Sequence, residues 1–410
     1  NMSKIVKIVG REILNAKGKP TVEAELLTDD GIIVFASVPS GTSRGKYEAH
    51  ELYDGEKRYG GYGTRKAAKN ISTIINDALV GMDVTLQGEI DRKLCELDGT
   101  PNKERLGGNA ILAVSVAVAR AGARASKLPL YQYLNREKSS FKMPDILATV
   151  IAGGVFSTSG MEFEDYMMAL SGFDNFPDEL EALSSMRMLL EKKLKKQYGD
   201  FPEDGGALAA PCTSSQEAFQ WIMQTAEELG YENNVSIAVD VAASELLNHE
   251  TKKYNLNNGR FLTREELIDY YIKLVHTFPI SNIEDGFDQD DFEAFHLLKS
   301  QIPEIQIVGD DLFATNVNRL KEGIEKDSAN AILLKINQIG TVSEALETSK
   351  IAMEQGYDVI VSLRSGETND DFIADLAVAI GAKQIKLGSP VRAERNAKYN
   401  RLLRIYEEIK

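Results

Sequence analysis

The sequence predicts an α/β protein in two parts, an α+β domain over residues 2–136 and a β/α barrel over residues 141–410. Strand-like stretches fill the region up to residue 38, and helical patterns follow them. Beyond residue 141 the texture changes to short apolar runs, each ended by a charged residue and followed by a helical segment. Successive ends lie 22 to 44 residues apart, which brackets the ~30 residues of one β/α unit. A chain of 410 residues also exceeds one small core, so a large barrel beside a smaller domain accommodates it.

In order along the chain, Ile5 to Val9, Pro20 to Thr28 and Ile32 to Val38 read as a strand meander, with Asp29-Asp30-Gly31 as a tight hairpin turn. The run from Val38 to Gly45 (VPSGTSRG) is small, polar and aperiodic, and is expected to form a mobile loop. Helical periodicity covers roughly 64–80, 86–97 and 108–126, the last so rich in alanine and valine that it should be buried on several sides. A sheet followed by helices fits an α+β domain. The boundary falls between Asn135 and Phe141, with no low-complexity linker. The clearest barrel strands then run Ile237 to Asp240, Ile280 to Glu284, Ile305 to Asp310, Ile332 to Lys335, Val359 to Arg364 and Ile385-Lys386.

Composition excludes several classes of function. A net charge of -15, from 62 acidic and 47 basic residues, repels nucleic-acid backbones and anionic lipid, so an anionic ligand needs a local cationic trap. Cys95 and Cys212 are too few for a disulfide framework or a cysteine zinc site and fit a reducing compartment, with the cytoplasm as the expected location. No apolar run approaches the ~18 residues of a membrane span, and no secretion signal is recognisable. Asn1 stands ahead of Met2, where the native chain is expected to start.

Strand ends of a barrel converge on one face, so their charges belong together. Asp240, Glu284 and Asp310 end three strands, and three crowded carboxylates repel unless a hard cation neutralises them. Magnesium suits such a set, which lacks the thiolates and histidine pairs that favour zinc. Lys335, Arg364 and Lys386 end the next three strands as a basic arc facing the acidic one. A lysine among cations is expected to have a lowered pKa and so to act as a base, and Arg364-Ser365 offers a planar fork and a hydroxyl to phosphate oxygens. Singly, a strand-end acid is more often a helix N-cap and a rim base a solvated salt-bridge partner. Six sorted into an acidic and a basic half favour function. His50, His249, His276 and His296 lie outside these ends and read as ordinary histidines.

At these positions the chain resembles enolase. AILLKINQIGTVSEAL at 331–346 is the most specific segment, accompanied in order by VDVAASE at 239–245, IEDGFDQDD at 283–291, VGDDL at 308–312, RSGET at 364–368 and KYNRLLRI at 398–405. ASVPSGTSRG at 36–45 and GGNAILAVSVAVARAGA at 107–123 extend the resemblance to the N-terminal half. It implies a capping domain on a TIM-type barrel of the enolase kind, the dehydration of 2-phosphoglycerate to phosphoenolpyruvate, two magnesium ions, and a homodimer or larger homo-oligomer. By the same resemblance Asp240, Glu284 and Asp310 hold the first magnesium, and Ser40 helps to close the site over the second. Lys335 removes the C2 proton, Lys386 holds the substrate carboxylate, Arg364 and Ser365 bind phosphate, and Glu164 and Asp165 stand at the substrate.

The sequence departs from the family pattern at several positions. Phe156 stands where a histidine is expected, and Glu164-Asp165 replaces Gln-Glu. Asp204, in Glu203-Asp204-Gly205-Gly206, replaces the glutamate that assists loss of hydroxide, with Glu203 beside it as a candidate substitute. Leu363 replaces a histidine and Leu387 a threonine. Aspartate reaches about 1 Å less far than glutamate, a displacement that can cost roughly a hundredfold in rate. The metal and base half is intact and the leaving-group half altered, so proton abstraction is expected to survive better than dehydration. A working enolase tolerant of drift, a paralogue with weak activity or another small acid substrate, and a non-catalytic scaffold or surface-binding protein all remain open.

Overall fold

The computed structural model describes residues 2–41, 44–257 and 259–410. The readings of Asn1 and of the loop at Thr42 and Ser43 therefore lie outside the described residues. In the N-terminal part, β1 (Ile5–Leu14), β2 (Pro20–Thr28) and β3 (Ile33–Ser37) form an antiparallel sheet in that order. β1 runs five residues further than its apolar pattern, because Arg11 reaches across the strands to Glu23 at 2.9 Å and Glu25 at 2.6 Å. The helix expected over 64–80 is Arg65–Asn70 and Asn76–Leu79 joined by a π-helical turn, Ile71–Ile75. That segment places Ser72 and Asn76 to accept from Gly10 N and Ile8 N, which satisfies donors on the edge strand β1. The alanine-rich helix Gly108–Ala125 is buried along nearly its whole length against β2 and β3.

Eight strands close the barrel: β4 (Asp145–Ala152), β5 (Asp165–Leu170), β6 (Val235–Asp240), β7 (Ile280–Glu284), β8 (Gln306–Gly309), β9 (Ala331–Leu334), β10 (Asp358–Ser362) and β11 (Gln384–Lys386). β11 pairs with β4 and completes the circle. β5 departs from a uniform β/α cadence, being antiparallel to both β4 and β6. No crossover helix lies between β4 and β5, and Gly154 and Gly160, both at positive φ, turn the chain back as a hairpin connection.

Side chains including Leu147, Met167, Ala238, Val308, Leu333 and Ile360 fill the barrel interior as a core of their own. A second core joins the outer helices to the barrel and continues into the N-terminal domain. Helix starts around the barrel are set by side chains that accept backbone N–H groups: Asn175, Ser214, Thr263, Asp291, Asn316 and Thr341. The N-terminal domain touches the C-terminal rim, where Ala16 N donates to Glu367 O at 2.8 Å, Ser40 pairs with Gly366, and Ala49 N donates to Gln338 O at 2.7 Å. A largely buried ion pair, Arg120 to Asp370 at 2.6 Å, fastens the same junction.

Candidate active site

The chain reverses direction sharply where the parallel strands end, and left-handed residues gather there. Ala242 follows β6, Asp285 follows β7, and Ala314 and Thr315 follow β8, all with φ between 44° and 51°. The turn at Asp285 aims its carboxylate at the next strand end, where it accepts from Asp310 N and Asp311 N, both at 2.8 Å. Asp310 is thereby fixed from its backbone. Asp240, Glu284 and Asp310, all buried, bring carboxylate oxygens within 4.8 Å of one another. Glu164, Asp165 and Asp240 form a second such group, and Asp285, Asp310 and Asp311 a third.

β5 explains how Asp165 arrives. It begins its strand, and only the reversed direction of that strand brings its first residue to the mouth, in register with Asp240. Lys386 Nζ, at the end of β11, sits among the acids at 2.7 Å from Glu284 and 3.2 Å from both Asp240 and Asp165. Lys335 Nζ lies 2.6 Å from Asp310, whose other oxygen accepts from Gln338. Gln338 also donates to Glu48 of the N-terminal domain, and Glu48 pairs with Arg364 at 3.4 Å.

The mouth carries more acid than its two lysines neutralise. Burial and then Asp240 hold Glu284 well above the usual carboxylate range, against the pull of Lys386. Burial and the neighbouring aspartates do the same to Glu164 and Asp285, and burial followed by Asp310 pushes Asp311 up to about 7. Asp165 is raised by burial despite Lys386, whereas Asp310 is lowered, since Lys335, Lys386 and Arg364 together outweigh its burial. Glu284 Oε1 is buried without a hydrogen-bond partner among the described residues. An orphaned oxygen inside a ring of hard donors fits a divalent cation.

The lowered pKa expected of Lys335 is not what the chain's own residues produce. Burial pushes its ammonium down, as do Arg364 and Lys386, but Asp310 and Asp311 together more than reverse this, and Lys335 is held above its ordinary value. Lys386 is held well above its own, since Glu284, Asp240 and Asp165 together outweigh burial. Only cations that neutralise Asp310 would bring Lys335 down.

Asp240, with both lysines, lines a cavity of about 390 Å³, while Glu284 and Asp310 lie behind its wall. Glu164, Asp165, Asp204, Lys335, Arg364, Ser365 and Lys386, all singled out in the sequence, face it. Ser40 does not; its backbone is tied to Gly366, two residues beyond Arg364. Asp204 sits exposed on a short hairpin, Glu203–Asp204 against Ala207–Leu208, which extends the sheet beside β4. Glu203 is already committed, to Arg392 at 2.6 Å and Arg187 at 3.1 Å, so it is not a free substitute for Asp204. Phe156 and Leu363 line the cavity, but Leu387 is fully buried outside it. Sequence reasoning did not single out Lys17, Arg395, Gln338 or Glu48. The first two also line the cavity, from a turn and a helix rather than a strand end.

Fold and mouth define a two-domain barrel enzyme whose strand-end carboxylates can hold a divalent metal beside buried lysines. Residues 5–134 match the family model "Enolase, N-terminal domain" and residues 140–410 match "Enolase, C-terminal TIM barrel domain". The chain is 47% identical to the enolase of Pyrococcus furiosus and 45% to that of Methanopyrus kandleri, each over 100% of this chain and 96% of the relative. It is 46% identical to the enolase of Methanocaldococcus jannaschii over 99% and 96%. The chain belongs to the enolase family, and its activity is that of a carbon–oxygen lyase, phosphopyruvate hydratase.

Proposed function

We propose that this lyase dehydrates 2-phosphoglycerate to phosphoenolpyruvate with magnesium as its metal. The carrying observation is the buried trio Asp240, Glu284 and Asp310, with its orphaned Glu284 oxygen, set beside Lys335. When bound, divalent cations would supply positive charge opposite the substrate carboxylate and so acidify the proton beside it. Asp240, Glu284 and Asp310 would hold the first ion. Ser40, tied to the rim at Gly366, acts on the second through loop position rather than from the cavity wall. Lys386 orients the carboxylate, Arg364 and Ser365 hold the phosphate, and Glu164 and Asp165 flank the reacting carbons. Lys335 Nζ, its own proton released to solvent once Asp310 no longer holds the ammonium, takes the C2 proton as the neutral amine, and Asp204 assists the departing hydroxide.

A second reading, a paralogue with weak dehydratase activity or another small acid substrate, is favoured by the cavity wall itself. Phe156 and Leu363 present apolar surface there, and Glu203 is locked to two arginines. Phosphoenolpyruvate formation with magnesium, in protein freed of host enzyme, tests the first reading, with turnover of ~1 to 1000 per second expected. Exchange of the C2 proton of 2-phosphoglycerate with solvent deuterium should proceed in the parent even where dehydration is weak, and stop in Lys335→Ala. No exchange in the parent would overturn the assignment of Lys335 as base.

Among the described residues no helix is long and apolar enough to cross a membrane. We place the protein in the cytoplasm as a homodimer or larger homo-oligomer. Ile33 and Phe35, exposed on alternate residues of β3, support the assembly, and light scattering checks it.

A further inference from the structure

Each strand-end cation in the mouth has an acidic partner: Lys335 has Asp310, Lys386 has three carboxylates, and Arg364 has Glu48. Arg395 differs. It is 8% exposed, lines the cavity, and forms no ion pair with a described carboxylate. Its Nη1 donates to Leu387 O at 3.1 Å, while its buried Nε has no acceptor among the described residues. The chain makes room for this guanidinium with glycine. A Cβ at Gly388 would stand 2.3 Å from Nη1 and one at Gly205 would stand 2.7 Å from Nη2, and both glycines have positive φ. Gly205 directly follows Asp204, so the guanidinium underlies the Asp204 wall. Lys17, from the β1–β2 turn, lines the same cavity, and Arg395 is among the charges that lower its pKa, after burial and Lys19. A desolvated guanidinium with open donors is costly in isolation and recovers that cost when an anion meets it.

We propose that Arg395 and Lys17 form a second oxyanion subsite on the Asp204 wall, separate from Arg364 and Ser365, which takes a phosphate or carboxylate group. The mouth then accommodates an acid carrying an oxyanion at each end, or a free anion beside the acid. The proposal goes beyond dehydration of 2-phosphoglycerate, and binding rather than turnover tests it, so the two stand or fall separately. Titration of the magnesium-loaded protein with inorganic phosphate in a calorimeter should show two phosphates per chain. Arg364→Met should remove one, Arg395→Met the other, and Arg395→Lys should retain it with about tenfold lower affinity. Should Arg395→Met fail to melt cooperatively, Lys17→Met decides, with weakening of the second phosphate by about fivefold or more expected. A single phosphate in the parent, lost in Arg364→Met, would overturn the proposal, as would unchanged binding in Lys17→Met. Repeating the titration with saturating 2-phosphoglycerate identifies the source. Phosphate that still binds marks a free-anion subsite, and phosphate displaced by the acid marks a subsite for a group on the acid.

Discussion

Glu284 Oε1 concentrates the metal question in one atom, because an acceptor buried without a partner costs about 1–3 kcal/mol or more unless something meets it. Glu284→Gln keeps the shape and removes the charge. Magnesium affinity, read by calorimetry, should fall about a hundredfold or more. The metal-free protein should melt close to the parent, since the amide oxygen still accepts from Lys386 and that ammonium keeps Asp240 and Asp165 as partners. A large drop in the metal-free melting temperature would mean that Glu284 serves the fold through Lys386 rather than the metal. Asp240, Glu284, Asp310, Lys335, Arg364 and Lys386 were all legible in the sequence, since each ends a parallel strand and parallel strands share one mouth. The charge state of Lys335 was not legible, because it depends on a 2.6 Å contact with Asp310 that no spacing reveals. Arg395 was hidden for a similar reason. A basic residue in the first turn of a C-terminal helix looks like surface until Gly388 and Gly205 are folded onto it.

At the scale of elements, the antiparallel β5 is what the regular cadence concealed. A strand that opens on an acid gives no strand-end signal, and only its pairing with β4 and β6 turns Asp165 towards Lys386. The alternating strands of the N-terminal sheet were readable to within a few residues, apart from the charged extension of β1, which cross-strand ion pairs sustain. Loop geometry was the least readable. Gly41 presses its backbone so closely on Arg364 that a Cβ there would stand 1.7 Å from Nη2. Gly41→Ala must therefore move either the loop or the guanidinium. With Arg364 displaced by about 1 Å, kcat/KM should fall roughly a hundredfold while the melting temperature changes little. Steady-state kinetics and a thermal melt check both halves, and unchanged kinetics would show that the loop gives way without disturbing the phosphate pole.

Across the whole molecule, the mouth is a joint product of two domains. The barrel supplies the acidic and basic arcs, and the N-terminal domain supplies Lys17, Glu48 and the Ser40–Gly41 segment that meets Gly366 and Arg364. Docking must therefore hold the cavity's shape as well as its stability. Arg120 is central to that docking. It reaches Asp370 and Asp371 of the barrel while donating to Phe35 O of its own sheet, and Asp370 is held below the usual carboxylate range because Arg120 outweighs its burial. Arg120→Met leaves Asp370 without its cation, and breaking a largely buried pair from one side costs about 3 kcal/mol. The urea midpoint should fall accordingly at neutral pH. The loss should shrink as pH falls, because the variant's Asp370, no longer held down by Arg120, protonates first and sheds the stranded charge, and it should vanish below the parent's lowered pKa, where the pair itself is gone. Substrate KM should rise together with the loss of stability, since Ser40, Gly41 and Glu48 shift with the loosened domain. A variant that loses stability with KM unchanged would show that the junction carries the fold alone and that the barrel rim shapes the mouth unaided.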